Sequence, residues 1–371
     1  MSIETLRQIV NKLNAQIKES RLGKPFFGQS QYNPHSLKPE NFSPIKHVES
    51  GRRFAFLDGG NQEIIGAPNF SIQINRIYFC IFDGDKRVSP ENIPNKIEFF
   101  SATYSVFRDR QVHYDTIILP LEDSYANYIP SEVDLSFNSV DRSVMQGNMR
   151  AGISRVASIA RRFGEWEYSK HVIDNELQTG DVFVADGTLQ AAFTNESHYV
   201  DRLFESAKKS GVIVTGLSKT CSLFTDSGLS LIGAIRLMAE QSKVAFPNWF
   251  YHPIVDIFNP THRASLYIVK LNQSADRIYR YEIFQDQAKK MSVEAMNEVL
   301  SRLSENSRDV ALPGYPYGLI VADEHARVRF NEMDGYQVML LSEMSKSGNW
   351  EKFKRYIRAT DTHDVLDMLA G

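Results

Sequence analysis

Two apolar runs in this chain close on an aspartate followed at once by glycine: "FAFLDGG" at residues 54–60 and "VFVADGT" at 182–188. Each reads as a buried strand. A carboxylate at such a strand end, Asp58 or Asp186, points into the crevice where open α/β sheets bind ligands. The glycine behind it lets a backbone or a phosphate come close. One Asp-Gly after a strand is ordinarily a turn. Two of them, each ending a core strand, pose a narrower choice between a phosphate cradle and a metal seat.

The surrounding pattern is mixed. Residues 3–20 have helical spacing, with Ile3, Leu6, Ile9, Val10, Leu13 and Ile17 on one stripe. A polar, proline-containing stretch runs to about 48. Strands are expected at 53–58, 71–83 and 114–121, with irregular strands and turns over 85–112. The pattern is helical over 140–176 and 199–210 and near 229–240. Buried strands are expected at 181–190 and 211–218, then in "WFYHPI" and "ASLYIVKLN". Helices are expected at 288–304, 316–329, 335–345 and 349–369. This order suits an α/β sheet with some antiparallel strands.

With 371 residues, the chain can form one elaborated domain or two ordinary ones. A net charge of −3 shows no global basic field. That does not exclude a nucleic-acid substrate, because acidic metal ligands offset a local basic groove. Cys80 and Cys221 make neither a disulfide framework nor a zinc site, and read as packing residues in a reducing compartment. The N-terminal stretch has no continuous apolar core of a signal peptide, and no run approaches the roughly 20 residues of a membrane span. A soluble cytoplasmic protein is expected, with no membrane partner.

Hard cations take oxygen ligands, and phosphodiester cleavage often uses two ions. A third carboxylate is therefore expected from the helix before Asp186, "IARRFGEWEYSKHVI". At ~100° per residue, Glu167 falls about 40° from Phe163, on the core-facing stripe, and Glu165 about 160° away. An acid on the core face is costly unless paired or metal-bound, which favours Glu167.

Other motifs carry less. "TGLSKT" has Ser218 where a phosphate-binding loop needs glycine before lysine. "FDGD" at 82–85 reads as a turn, and His252 and His262 as edge histidines outside any HExxH frame. Arg161 and Arg162 are candidates for DNA phosphates or for a solvated face. Tyr315 is a candidate base-stacking residue or a packing residue at a helix start.

Taken in order, the strand ending in Asp58, the acidic helix, "VADGTL", "VTGLSKT" and "GYPYGLIVAD" resemble the NurA nucleases over roughly residues 50–330. The resemblance implies an α/β fold: an RNase H-like mixed sheet flanked by helices, with an N-terminal helical arm and C-terminal helices. It implies three parts: 1–48, a nuclease domain at 49–330 with an insertion at about 85–140, and helices at 331–371. It also implies a metal-dependent deoxyribonuclease using Mn²⁺ or Mg²⁺, acting as a 5′-to-3′ exonuclease or single-strand endonuclease in DNA end resection. The implied partners are DNA, a HerA/FtsK-like hexameric ATPase and a second copy of the chain. Asp58, Glu167 and Asp186 take the places of the metal carboxylates, and Lys219 that of a basic residue near a substrate phosphate. Tyr315 and Pro316 match a Tyr-Pro motif. The family's late histidine position holds Asp323 here, with His325 two residues on, and either can complete the site. An actin- or sugar-kinase-like ATPase and a non-catalytic DNA-binding or ATPase-docking subunit are the rival expectations.

Overall fold

The structure is a computed structural model that describes residues 3–17 and 21–357. Its main elements, in chain order, begin with α1 (Ile3–Gln16), β1 (Phe42–Pro44), β2 (Arg53–Ala67), β3 (Phe70–Asp83), β4 (Lys96–Arg108) and β5 (Gln111–Pro120). They continue with α2 (Ile159–Glu176), β6 (Val182–Asp186), α3 (Glu196–Ser210), β7 (Ile213–Ser218) and α4 (Leu231–Gln241). The last are β8 (Trp249–Tyr251), β9 (Ala264–Lys270), β10 (Tyr279–Phe284), α5 (Val293–Glu305), α6 (Tyr317–Ala326), α7 (Phe330–Lys346) and α8 (Trp350–Ile357). The chain divides into two compact units. One is made of residues up to 51, 186–190 and 215–317, the other of 52–185, 191–214 and 318 onward.

In the second unit, β2, β3, β4 and β5 form an antiparallel meander, and β6 pairs in parallel with β2. The start of β7 lies against β6, with Ile213 N–H donating to the Asp181 carbonyl. The order β4-β3-β2-β6-β7 makes this an RNase H-like mixed sheet flanked by helices. Helices cover both faces of β2, so Phe54 through Leu57 are all buried and read as an unbroken apolar run. On one face Gly164 of α2 rests on Ile77 and Phe99; on the other Gly318 of α6 rests on Phe56. Helices α7 and α8 close over the far end of the β2–β3 hairpin. There Met344, Leu341, Trp350 and Phe353 pack on Ile64, Ile65 and Phe70.

In the first unit, β8 lies between β1 and β9, β10 pairs with β9, and residues 215–218 of β7 pair with 280–283 of β10. Its core joins Leu231, Ile235 and Met238 of α4 to Trp249, Tyr251, Leu266 and Ile268. Side-chain caps from Ser230 and Ser292 start α4 and α5. Helix α1 has no buried residue.

Three expectations change. The strand expected at 53–58 continues to Ala67, so Asp58 stands inside a strand rather than at its end. Residues 96–120, expected as irregular structure in part, form a long hairpin. Its two-residue loop is Asp109-Arg110, both at positive φ (52° and 61°). That geometry usually calls for Asn-Gly or Asp-Gly, so the composition gave no hairpin signal. The helix expected over 140–176 is two helices, 153–157 and 159–176. Parts of the expected terminal helices, at 18–20 and 358–369, lie outside the described residues.

Candidate metal centre

Strand register places the first two carboxylates together. Val182 to Ala185 of β6 pair with Phe54 to Leu57 of β2, in parallel. The next residue on each strand is Asp186 and Asp58. Side chains two apart share a face of a strand, so Asp58 faces the same way as Phe56 and Gly60. That is the face covered by α6.

Helix α6 is seated on β2 by two contacts that tolerate no side chain. A Cβ on Gly318 would lie 2.0 Å from Phe56 Cδ2, and a Cβ on Gly60 would lie 2.3 Å from the Ala326 carbonyl oxygen. The Cys80 thiol also donates to the Gly318 carbonyl (3.3 Å). Eight helical residues span about 12 Å and four strand residues about 13 Å, so both ends of α6 register with β2. Asp323 is thereby carried over Asp58. One carboxylate oxygen from each of Asp58, Asp186 and Asp323 lies within 4.8 Å of the others. All three residues are partly buried.

Like charges this close repel. Lys219, one residue past β7, answers part of that charge: its Nζ lies 2.5 Å from Asp186 Oδ2. Arg327 Nη2 donates to Asp323 Oδ2 (2.7 Å), and Gly59 N–H donates to Asp58 Oδ1 (2.8 Å). Three convergent carboxylates are the donor set that Mg²⁺ and Mn²⁺ prefer, so the residues present fit such an ion.

Glu167 and Glu165 occupy different surroundings. Glu167 is buried, as its helical phase predicts, but against α3: its carboxylate pairs with Arg202 and lies 3.4 Å from His171 Nε2. It is outside the three-carboxylate cluster. Glu165 instead lies on β2. A Cβ on Gly59 would meet Glu165 Oε1 at 2.4 Å, and Arg161 bridges the Glu165 carboxylate to the Gly59 carbonyl. Gly59 and Gly60 therefore serve close approach of α2 and α6, from opposite faces, rather than a turn. The glycine pair after Asp58 marks where Glu165 packs, and Glu165, like Glu167, is outside the three-carboxylate cluster.

The remaining candidates are also placed. His325 is turned away from Asp323; its ring stacks on Tyr78 (4.6 Å between centroids) and its Nδ1 lies 2.9 Å from the Val321 carbonyl. Tyr315 is 2% exposed and packs on Tyr279. Arg162 pairs with the buried Glu196 (2.5 Å), which also accepts from the Trp166 indole. His262 is a core residue, paired with Glu282.

The sequence matches the family described as "NurA domain" over residues 52–328. No curated protein matches it. Among solved structures, Ciona intestinalis endonuclease V, in complex with a 24mer DNA containing an inosine followed by a ribo-adenosine, is similar at 11% identity and TM-score 0.34. That match covers 88% of this chain and 97% of that one. Aquifex aeolicus Argonaute is similar at 9% identity and TM-score 0.29, over 76% of this chain and 29% of that one. Kluyveromyces polysporus Argonaute with a guide RNA is similar at 10% identity and TM-score 0.27, over 73% and 27%. The family match spans most of the sequence and contains the whole carboxylate cluster: the chain belongs to the NurA nuclease family.

Proposed function

We propose that this nuclease is a metal-dependent deoxyribonuclease whose ion is held by Asp58, Asp186 and Asp323. The convergence of those three carboxylates from β2, β6 and α6 carries the reading. A bound Mn²⁺ or Mg²⁺ would polarise the scissile phosphate and lower the pKa of an attacking water. Lys219 would neutralise charge on the phosphate as it develops; its ammonium on Asp186, at the edge of the cluster, supports that role. Glu165, rather than Glu167, is the acidic residue of α2 set against the strand that carries Asp58. Arg161, beside it, is the better candidate of the two helix arginines for a DNA phosphate, since it bonds the carbonyl of Gly59, the residue after Asp58, whereas Arg162 pairs with the buried Glu196 of α3. The direct test is Mn²⁺-dependent cleavage of single- and double-stranded DNA, with Asp58→Ala and Asp186→Ala as controls.

The finer activity we infer is 5′-to-3′ exonuclease or single-strand endonuclease action in end resection, beside a HerA-type hexameric ATPase. A homodimer belongs to the same reading. Its support is the apolar stripe of α1: Ile3, Leu6, Ile9, Val10 and Leu13 are all exposed, as isolated helices in water seldom allow. Sedimentation at several protein concentrations, with and without the ATPase, tests it.

One observation favours a second reading. Lys219 and Arg327 already answer the charges of Asp186 and Asp323, as they would in a non-catalytic DNA-binding or ATPase-docking subunit. That subunit would bind DNA and show no Mn²⁺-dependent cleavage.

A further inference from the structure

A fully buried carboxylate lies in the first unit, apart from the three acidic residues of the centre. Glu282, at the middle of β10, is completely shielded from solvent. Its Oε1 accepts from Arg280 Nε (2.7 Å) and lies 3.1 Å from His262 Nε2. His262 Nδ1 lies 3.1 Å from the Tyr32 hydroxyl. A charge so deep in the core is costly unless paired and hydrogen-bonded, and the Arg280 guanidinium and the His262 ring serve that need here. A core ion pair alone would require nothing more.

Glu282 has a third partner, on the turn that follows Asp186. Its Oε2 accepts the backbone N–H of Leu189 (2.8 Å). The same turn is held at two more points. Gly187 N–H donates to the Leu217 carbonyl (2.9 Å), and Gln190 bridges to His262. The turn lies directly on Gly216, the cross-strand neighbour of Glu282: a Cβ there would meet the Gly187 carbonyl oxygen at 2.5 Å. Arg280, two residues before Glu282, is paired in register with Ser218, the residue before Lys219. The network thus touches the chain just after Asp186 and just before Lys219.

We propose that Glu282 is a positioning residue for the metal centre: by gripping the Leu189 N–H it fixes the Gly187–Leu189 turn and with it the direction of the Asp186 carboxylate. This rests on the reading that Asp186 holds the ion. Outer groups that orient a ligand typically set metal affinity or activity by about 10- to 100-fold.

The test uses the full chain with Glu282→Gln and Glu282→Asp. The first keeps the shape and removes the charge. The second keeps the charge between Arg280 and His262 and draws it back from Leu189. Mn²⁺ uptake is followed by electron paramagnetic resonance, cleavage is measured against Mn²⁺ concentration, and folding is checked by circular dichroism. The expected result is a folded variant whose Mn²⁺ midpoint rises about 10-fold or more, with cleavage recovering at saturating Mn²⁺. A merely structural residue would not give that split. A folded variant with the wild-type midpoint overturns the proposal, as does failure of both variants to fold, which would make Glu282 a core residue only. If wild-type protein takes up no Mn²⁺, the metal reading itself fails and this proposal falls with it.

Discussion

Gly60 and Ala326 are packed backbone to backbone: a single added Cβ on Gly60 would come within 2.3 Å of the Ala326 carbonyl oxygen. That contact holds the last turn of α6, three residues from Asp323, on the strand that carries Asp58. Gly60→Ala should therefore lift α6. We expect a stability loss of about 1–3 kcal/mol, typical of overpacking. Mn²⁺-dependent cleavage should fall further than that loss explains. Urea unfolding and cleavage rates on the same protein check both parts.

The two acids of α2 should separate in their effects. Glu165→Gln touches the Gly59 strand segment and should lower cleavage by about 10- to 100-fold with little change in unfolding midpoint. Glu167→Gln loses only the Arg202 and His171 contacts, on the α3 side. It should leave cleavage nearly unchanged and cost at most about 1 kcal/mol, because the Arg202 side of the pair is solvent-screened. Equal loss of cleavage in both variants would contradict this assignment.

Lys219→Met should lower the cleavage rate at saturating DNA by about 10²- to 10³-fold, the scale for losing one donor to developing charge. Acetylation-mimicking Lys219→Gln should behave alike. A rate unchanged in both would leave Lys219 as a partner of Asp186 only.

Acid should expose the buried network. Burial pushes the Glu282 carboxyl up, but Arg280, His262 and the Leu189 N–H more than offset this and hold it at about 2, below its ordinary 4.5. A depressed folded-state pKa contributes stability that is fully present above about 4.5 and is lost as pH falls toward 2. Thermal midpoints between pH 5 and pH 2 should fall more steeply for the wild type than for Glu282→Gln. Parallel curves would contradict the charged state of Glu282.

Much of the three-carboxylate cluster was legible in the sequence because strand register and Asp-Gly spacing are local properties. Asp58 and Asp186 follow from two apolar runs that must pair, and α6 follows from its helical pattern. Asp323 was named, but its choice over His325 needed the seat of α6: Gly318 on Phe56 and Ala326 on Gly60 turn Asp323 to the carboxylates and leave His325 on Tyr78. Glu167 illustrates the limit of helical phase. Phase predicts burial correctly, yet a buried side chain can face α3 instead of the sheet. The Asp109-Arg110 hairpin and the Glu282 grip on Leu189 join residues with no shared local signature, so only the folded chain reveals them.

Asp58 and Asp186 are proposed to hold a catalytic ion together with Asp323. The decisive measurement incubates wild type, Asp58→Ala and Asp186→Ala with DNA, with and without Mn²⁺, each protein first shown folded. The wild type should cleave only when Mn²⁺ is present, and neither variant should cleave. Normal cleavage by both folded variants would contradict the proposal.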